Sequence, residues 1–117
     1  MYDLPILDKA TAAYKIWHKY LIDFPRLDRY TLGEKIDLLF CDVIELLLEA
    51  VQSQKELKLK IVDKACVRLD MLKYFLQIAW NLKTMDNKKY LIISNALNEV
   101  GKMLGGWKKQ VQNITLK

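Results

Sequence analysis

The sequence predicts an all-α protein folded as an up-down-up-down antiparallel four-helix bundle. Three observations predict it. Apolar residues recur at spacings of three and four through four long segments. The 117 residues include only 2 Pro and 4 Gly, too few for the many turns of an all-β fold. Short polar turns separate the later segments, and short turns make consecutive helices antiparallel neighbours. With 52% hydrophobic residues, the chain has the material for one core, and a single domain over 1–117 is expected.

The first helix is placed at about 4–22. Asp3 can cap it, and Pro5 falls in its first turn, where a missing N–H costs nothing. Ile6, Ala10, Ala13, Trp17 and Tyr20 or Leu21 line one face. Pro25 then disfavours helical backbone at Phe24, so DFPRLDRY is read as a break and 23–30 as the longest connection. In TLGE, Thr31 and Glu34 match a capping box, which starts a second helix over about 31–53.

Ile36, Leu39, Val43, Leu46 or Leu47, and Ala50 form the seam of that second helix. Phe40, Ile44, Leu47, Leu48 and Val51 widen it to most of the circumference. A helix so broadly apolar is buried on more than one side, which in a small protein implies an oligomer interface beyond the bundle core. The polar run QSQKE turns the chain into a third helix at about 56–83, with Ile61, Ala65, Leu69, Leu72, Leu76 and Ala79 inward. Asp86 caps the fourth, about 86–110, whose seam is Ile93, Leu97, Val100, Leu104, Trp107 and Val111.

Charge divides the chain. Residues 1–54 hold 6 Lys and Arg against 9 Asp and Glu, a net of −3; residues 55–117 hold 13 against 5, a net of +8. The second half is the expected electrostatic face for an anionic partner such as nucleic acid. The candidate contacts are Lys60, Lys64 and Arg68, which recur every four residues on the third helix. Lys73 lies on that helix's other side, with Lys102, Lys108 and Lys109 on the fourth and Arg26 and Arg29 in the 24–31 connection. Lysine-rich surfaces bind phosphate without reading sequence.

Catalytic classes find little support. A di-iron bundle needs Glu-x-x-His on two helices, and the only histidine is His18. Asp42, Glu45 and Glu49 share one side of the second helix but have no imidazole beside them, and read as a solvated or intersubunit stripe. Cys41 and Cys66 have no C-x-x-C spacing and no histidine to act as base. They lie in apolar helical runs and read as buried free thiols in a reducing compartment. MYDLPILDK has no signal-peptide pattern, and LLFCDVIELLLEAV is interrupted by Asp42, Glu45 and Glu49, so a cytoplasmic protein without a membrane span is expected. No enzyme activity and no cofactor are expected.

NEVGKMLGGWKK concentrates Gly101, Gly105 and Gly106 in six residues. A phosphate loop of the G-x-x-x-x-G-K-[ST] kind needs a different order and a preceding strand. A helical seam runs through these glycines instead. Gly101 and Gly105 are one turn apart, and the expectation is close helix packing there, with Trp107 folded over the contact. Gly106 is placed to loosen or end the helix.

Four segments occur together: LPI near the start, FPRLDRYTLGEK after the first helix, LDMLKYFLQIAWNL in the third and EVGKMLGGWKK in the fourth. In this order they resemble the small four-helix-bundle family that includes the accessory variability determinant (Avd) of diversity-generating retroelements. The same family includes proteins encoded in intervening sequences of bacterial 23S ribosomal RNA genes. The resemblance implies a non-enzymatic, barrel-like homopentamer with a basic surface to which the third helix contributes. It implies binding to the element's reverse transcriptase and support of mutagenic retrohoming, in which template RNA is copied with errors at adenines. Lys73, after LDML, fills the family's basic position; four residues on, where a second basic residue is common, stands Gln77. Lys102 fills the basic position after Val-Gly, and Arg26 matches the basic residue after Phe-Pro. The rival readings are an intervening-sequence bundle protein of unclear role with no polymerase partner, and a purely structural homo-oligomer.

Overall fold

In the computed structural model, which describes residues 4–116, the chain is a four-helix antiparallel bundle. The helices are α1 (Leu4–Ile22), α2 (Glu34–Gln52), α3 (Lys55–Asn81) and α4 (Asn87–Leu116). α1 packs on α2 and α4, α2 on α3, and α3 on α4, so the four close a square. The result is a rod of 50 × 22 × 22 Å.

The heptad-like seams are the core. Ile6, Ala10, Ala13 and Trp17 of α1 are buried, as are Ile36, Leu39, Phe40, Val43, Leu47 and Ala50 of α2. All six seam positions expected on α3 and all six on α4 are buried too, with Val62 added. Trp17 is the largest fully buried side chain. It stacks on Phe40 with centroids 6.0 Å apart, and Phe24 meets it edge-on at 5.3 Å. A side chain of this kind stabilises by about 1.5–3 kcal/mol through burial alone. The expected breadth of α2 is partly met: Ile44 and Val51 are half-buried, while Leu48 and Leu38 stay exposed.

The connection between α1 and α2 differs from expectation. Only 23–25 is irregular. Pro25 stands before a single helical turn, Arg26–Asp28, whose Arg29 N–H donates to the Pro25 carbonyl at 2.9 Å. A π-helical segment, Arg29–Gly33, then runs into α2. The capping box is therefore not formed. A cap requires non-helical backbone, and Thr31 is already inside a helical run; its hydroxyl donates to the Leu27 carbonyl at 3.1 Å. Gly33 is closely packed here: a Cβ would lie 2.6 Å from Leu21 Cδ1 and 3.3 Å from the Asp28 carbonyl oxygen, so both would have to give way.

The turn between α3 and α4 follows its sequence closely. Thr84 N–H bonds the Ala79 carbonyl and Lys83 N–H the Trp80 carbonyl, which closes α3 in a Schellman motif. Lys83 occupies its left-handed position at φ 63°, where glycine is usual. Asp86 caps α4 as expected, accepting from the Lys89 N–H at 2.8 Å. α4 continues through Gly105 and Gly106, so Gly106 does not end the helix. The expected Asp3 cap lies outside the described residues.

Candidate nucleic-acid and partner interface

The basic residues expected to act together fall on three parts of the rod. α3 is the reason. Lys60, Lys64 and Arg68 share one flank of it, and Lys73, five residues after Arg68, turns to the other.

On the α2 side, Lys64 and Arg68 line a groove of about 570 Å³ together with Asp42, Glu45, Glu49 and Asp63. Carboxylates outnumber cations there, so this flank is not a positive surface. Arg68 also reaches Met71 Sδ at 3.8 Å. Lys60 is exposed one turn nearer the start of α3.

On the α4 side, Lys73 and Lys102 line a groove of about 810 Å³ with Asp70, Glu99, Asn95 and Asn98. Two cations meet two carboxylates, and amide side chains fill the gaps. Lys73 is half-buried because Gly101 makes room for it: a Cβ at Gly101 would lie 3.1 Å from Lys73 Nζ and 3.6 Å from Leu69 Cδ2. Gly101 thus packs against α3 side chains. Gly105 does not. A Cβ there, or at Gly106, would meet no atom within 4 Å, because α4 draws its core from Leu104 and Trp107 and leaves the glycines facing the groove and solvent. Trp107 is buried, with Lys58 Nζ 5.9 Å from its ring centroid.

Two candidates have structural duties. Arg29 donates from Nη2 to the carbonyls of Ile22 (2.9 Å) and Phe24 (3.1 Å), closing the end of α1. Lys108 pairs with Asp63 across α3 and α4 at 3.0 Å. That hydrogen bond and the carboxylate's charge push the lysine's pKa up, holding it as a cation. Lys109 and Arg26 are exposed.

The thiols do not supply a nucleophile. Cys41 and Cys66 are free as expected but only half-buried, since both stand beside the core seams and not within them. Burial pushes both pKa values up; Asp37 adds to this at Cys41, and at Cys66 burial outweighs the opposing pull of Lys108. Among the described residues, no three His, Cys, Asp or Glu side chains are grouped to hold a metal ion, and no helix is long and apolar enough to cross a membrane.

Aromatic residues complete the α3–α4 edge, and helical periodicity gave no reason to single them out. Tyr74 is exposed. Trp80 and Tyr90 stack face to face, 4.5 Å apart and within 1° of parallel, and Trp80 Nε1 donates to Asn87 Oδ1 at 2.6 Å. Trp80 sits ten residues before Tyr90 across a tight turn; that short spacing is the signal in the sequence.

A family model described as bAvd-like matches residues 6–111. Among solved structures, the fold is similar to a protein of unknown function from the S23 ribosomal protein family of Bacteroides thetaiotaomicron. The TM-score is 0.82 at 20% identity, covering 93% of this chain and 99% of that one. No curated protein matches the chain.

Proposed function

The chain belongs to the bAvd-like family, whose role is that of a non-catalytic accessory protein, and from that premise we propose that it serves a diversity-generating retroelement. It binds the element's reverse transcriptase and template RNA in the cytoplasm and supports mutagenic retrohoming. The family match across 6–111 carries this reading. The placement of Lys73 and Lys102, the two helix positions at which the sequence has the family's basic residues, in one groove between α3 and α4 supports it. Lys60, Lys109 and Arg26 are free to add longer-range attraction, whereas Arg29 and Lys108 serve the fold first. The working form is a homopentamer. Leu38 and Leu48, exposed on α2, are apolar surface that an assembly would cover.

The test is solution mass by light scattering, then retention of the reverse transcriptase and of single-stranded RNA across a salt series. A mass near five chains, polymerase capture and steeply salt-weakened RNA binding are expected. If Lys73 and Lys102 each neutralise one phosphate, Lys73→Glu and Lys102→Glu should each lower the log–log salt slope by about 0.7. A monomer that retains neither partner refutes the reading. An intervening-sequence protein would lack the polymerase partner, and no reverse transcriptase gene would lie beside its own.

A further inference from the structure

Resting on the RNA-binding reading, we propose that the α3–α4 groove beside Tyr74 receives one unpaired base of the bound strand. This groove adjoins the one holding Lys102, and Lys73 lines both. It measures about 340 Å³, at the small end of the roughly 300–1,000 Å³ usual for small-molecule pockets. That is room for a nucleoside and not for a helix.

Its walls suit a base. Tyr74 of α3 and Tyr90 of α4 line it, over the buried Leu76 and Leu97. Tyr90 is held by its stack on Trp80, and Trp80 by its bond to Asn87, so this wall is ordered before any ligand arrives. Stacking on such rings tolerates any base, because every base has a π-face. Gln77 and Asn98 line the same groove and can each donate and accept, as base edges require. Lys73, at the junction of the two grooves, is placed for the phosphate of the nucleotide that enters. Asp70 lines both grooves as well, and its carboxylate favours a donor-bearing base edge over phosphate on that side. Paired RNA keeps its bases within the helix and cannot offer one, so the site selects single strands.

The experiment uses the full chain and a short RNA carrying one 2-aminopurine, single-stranded or annealed to its complement. The wild-type protein should bind the single strand more tightly and quench its fluorescence. Tyr74→Leu should weaken single-strand affinity about tenfold and abolish the quenching, while Tyr74→Phe, which keeps the ring, retains both. Ser94→Phe, which fills the groove from α4, should act like Tyr74→Leu. Circular dichroism melts establish that each variant is folded. Equal affinity for the two RNA forms, or undiminished quenching in folded Tyr74→Leu and Ser94→Phe, overturns the base pocket while leaving RNA binding intact. No RNA binding by the wild type at low salt overturns both this inference and the RNA half of the proposed function.

Discussion

Tyr14 of α1 donates its hydroxyl to Asp37 of α2 at 2.8 Å, and the same carboxylate oxygen accepts from Trp17 Nε1 at 3.0 Å. One acceptor thus joins α1 to α2 beside the apolar seam. Asp37→Ala leaves the buried Trp17 N–H and the half-buried Tyr14 hydroxyl unpaired and should destabilise by about 2–3 kcal/mol. Asp37→Asn keeps an oxygen in place and should cost less than about 1 kcal/mol. Chemical denaturation of the two variants checks this; equal losses would mean that the negative charge, and not the acceptor geometry, fastens the helices.

Alkaline sensitivity follows from the same contact. Burial first, then the hydrogen bond and charge of Asp37, push the Tyr14 phenol above its ordinary 10.0. Cys41 and Cys66 are pushed above 9.0 by burial. In each case the folded chain keeps a proton that the unfolded chain releases. The stabilisation is complete below these ordinary values and is lost as pH rises through the folded ones. Stability should fall from about pH 9 upward, and Tyr14→Phe should make that limb shallower. A pH series of melting temperatures reads it directly.

The glycines separate by what surrounds them. Alanine at Gly105 meets open space and gains helix propensity, so Gly105→Ala should stabilise by up to about 1 kcal/mol. Gly101→Ala asks only that the end of Lys73 move, and should change stability little. Gly33→Ala drives into Leu21 and the backbone at Asp28, and should cost about 1–3 kcal/mol. Denaturation midpoints that rank the three in another order would refute this account.

Lys83 adopts a left-handed backbone at φ 63° without the freedom of glycine. That conformation costs an ordinary residue about 1–2 kcal/mol. Lys83→Gly should therefore raise stability, by about 0.5–1 kcal/mol once the greater entropy of unfolded glycine is counted. A lowered melting temperature would show that the lysine side chain has a compensating partner.

Much of the fold was legible because the core positions recur at helical spacing. Ile93 through Val111 read as a seam and are one, and Asp86 caps the fourth helix as expected. The connection 23–33 was not legible. Pro25 correctly marks the break, but the helix resumes at once, and a π turn has no pattern of its own in RYTLG. Gly105 misled for a related reason: spacing places a glycine on a face but does not say whether another helix comes near. The candidate interface was legible as residue types and less so as a surface. Lys108 and Arg29 are cations whose partners, Asp63 and two α1-end carbonyls, are distant in sequence or carry no side-chain signal. The acidic stripe of α2 was visible, but its position opposite Lys64 and Arg68 needed the packing of α2 on α3.

One end of the rod is tied by side chains. Thr84 donates to Asp28 at 3.0 Å, Lys89 pairs with Asp23 at 3.0 Å, and Lys89 also lies over Tyr20, 5.5 Å from its centroid. These bonds fasten the α1–α2 connection, itself closed by the Arg29 clamp, to the α3–α4 turn. Like a sheaf bound near both ends, the bundle has this knot at one end and, toward the other, the Lys108–Asp63 pair between α3 and α4. A partner seated near Trp80 and Tyr90 would therefore rest beside a turn that is already joined to a connection more than fifty residues away in sequence.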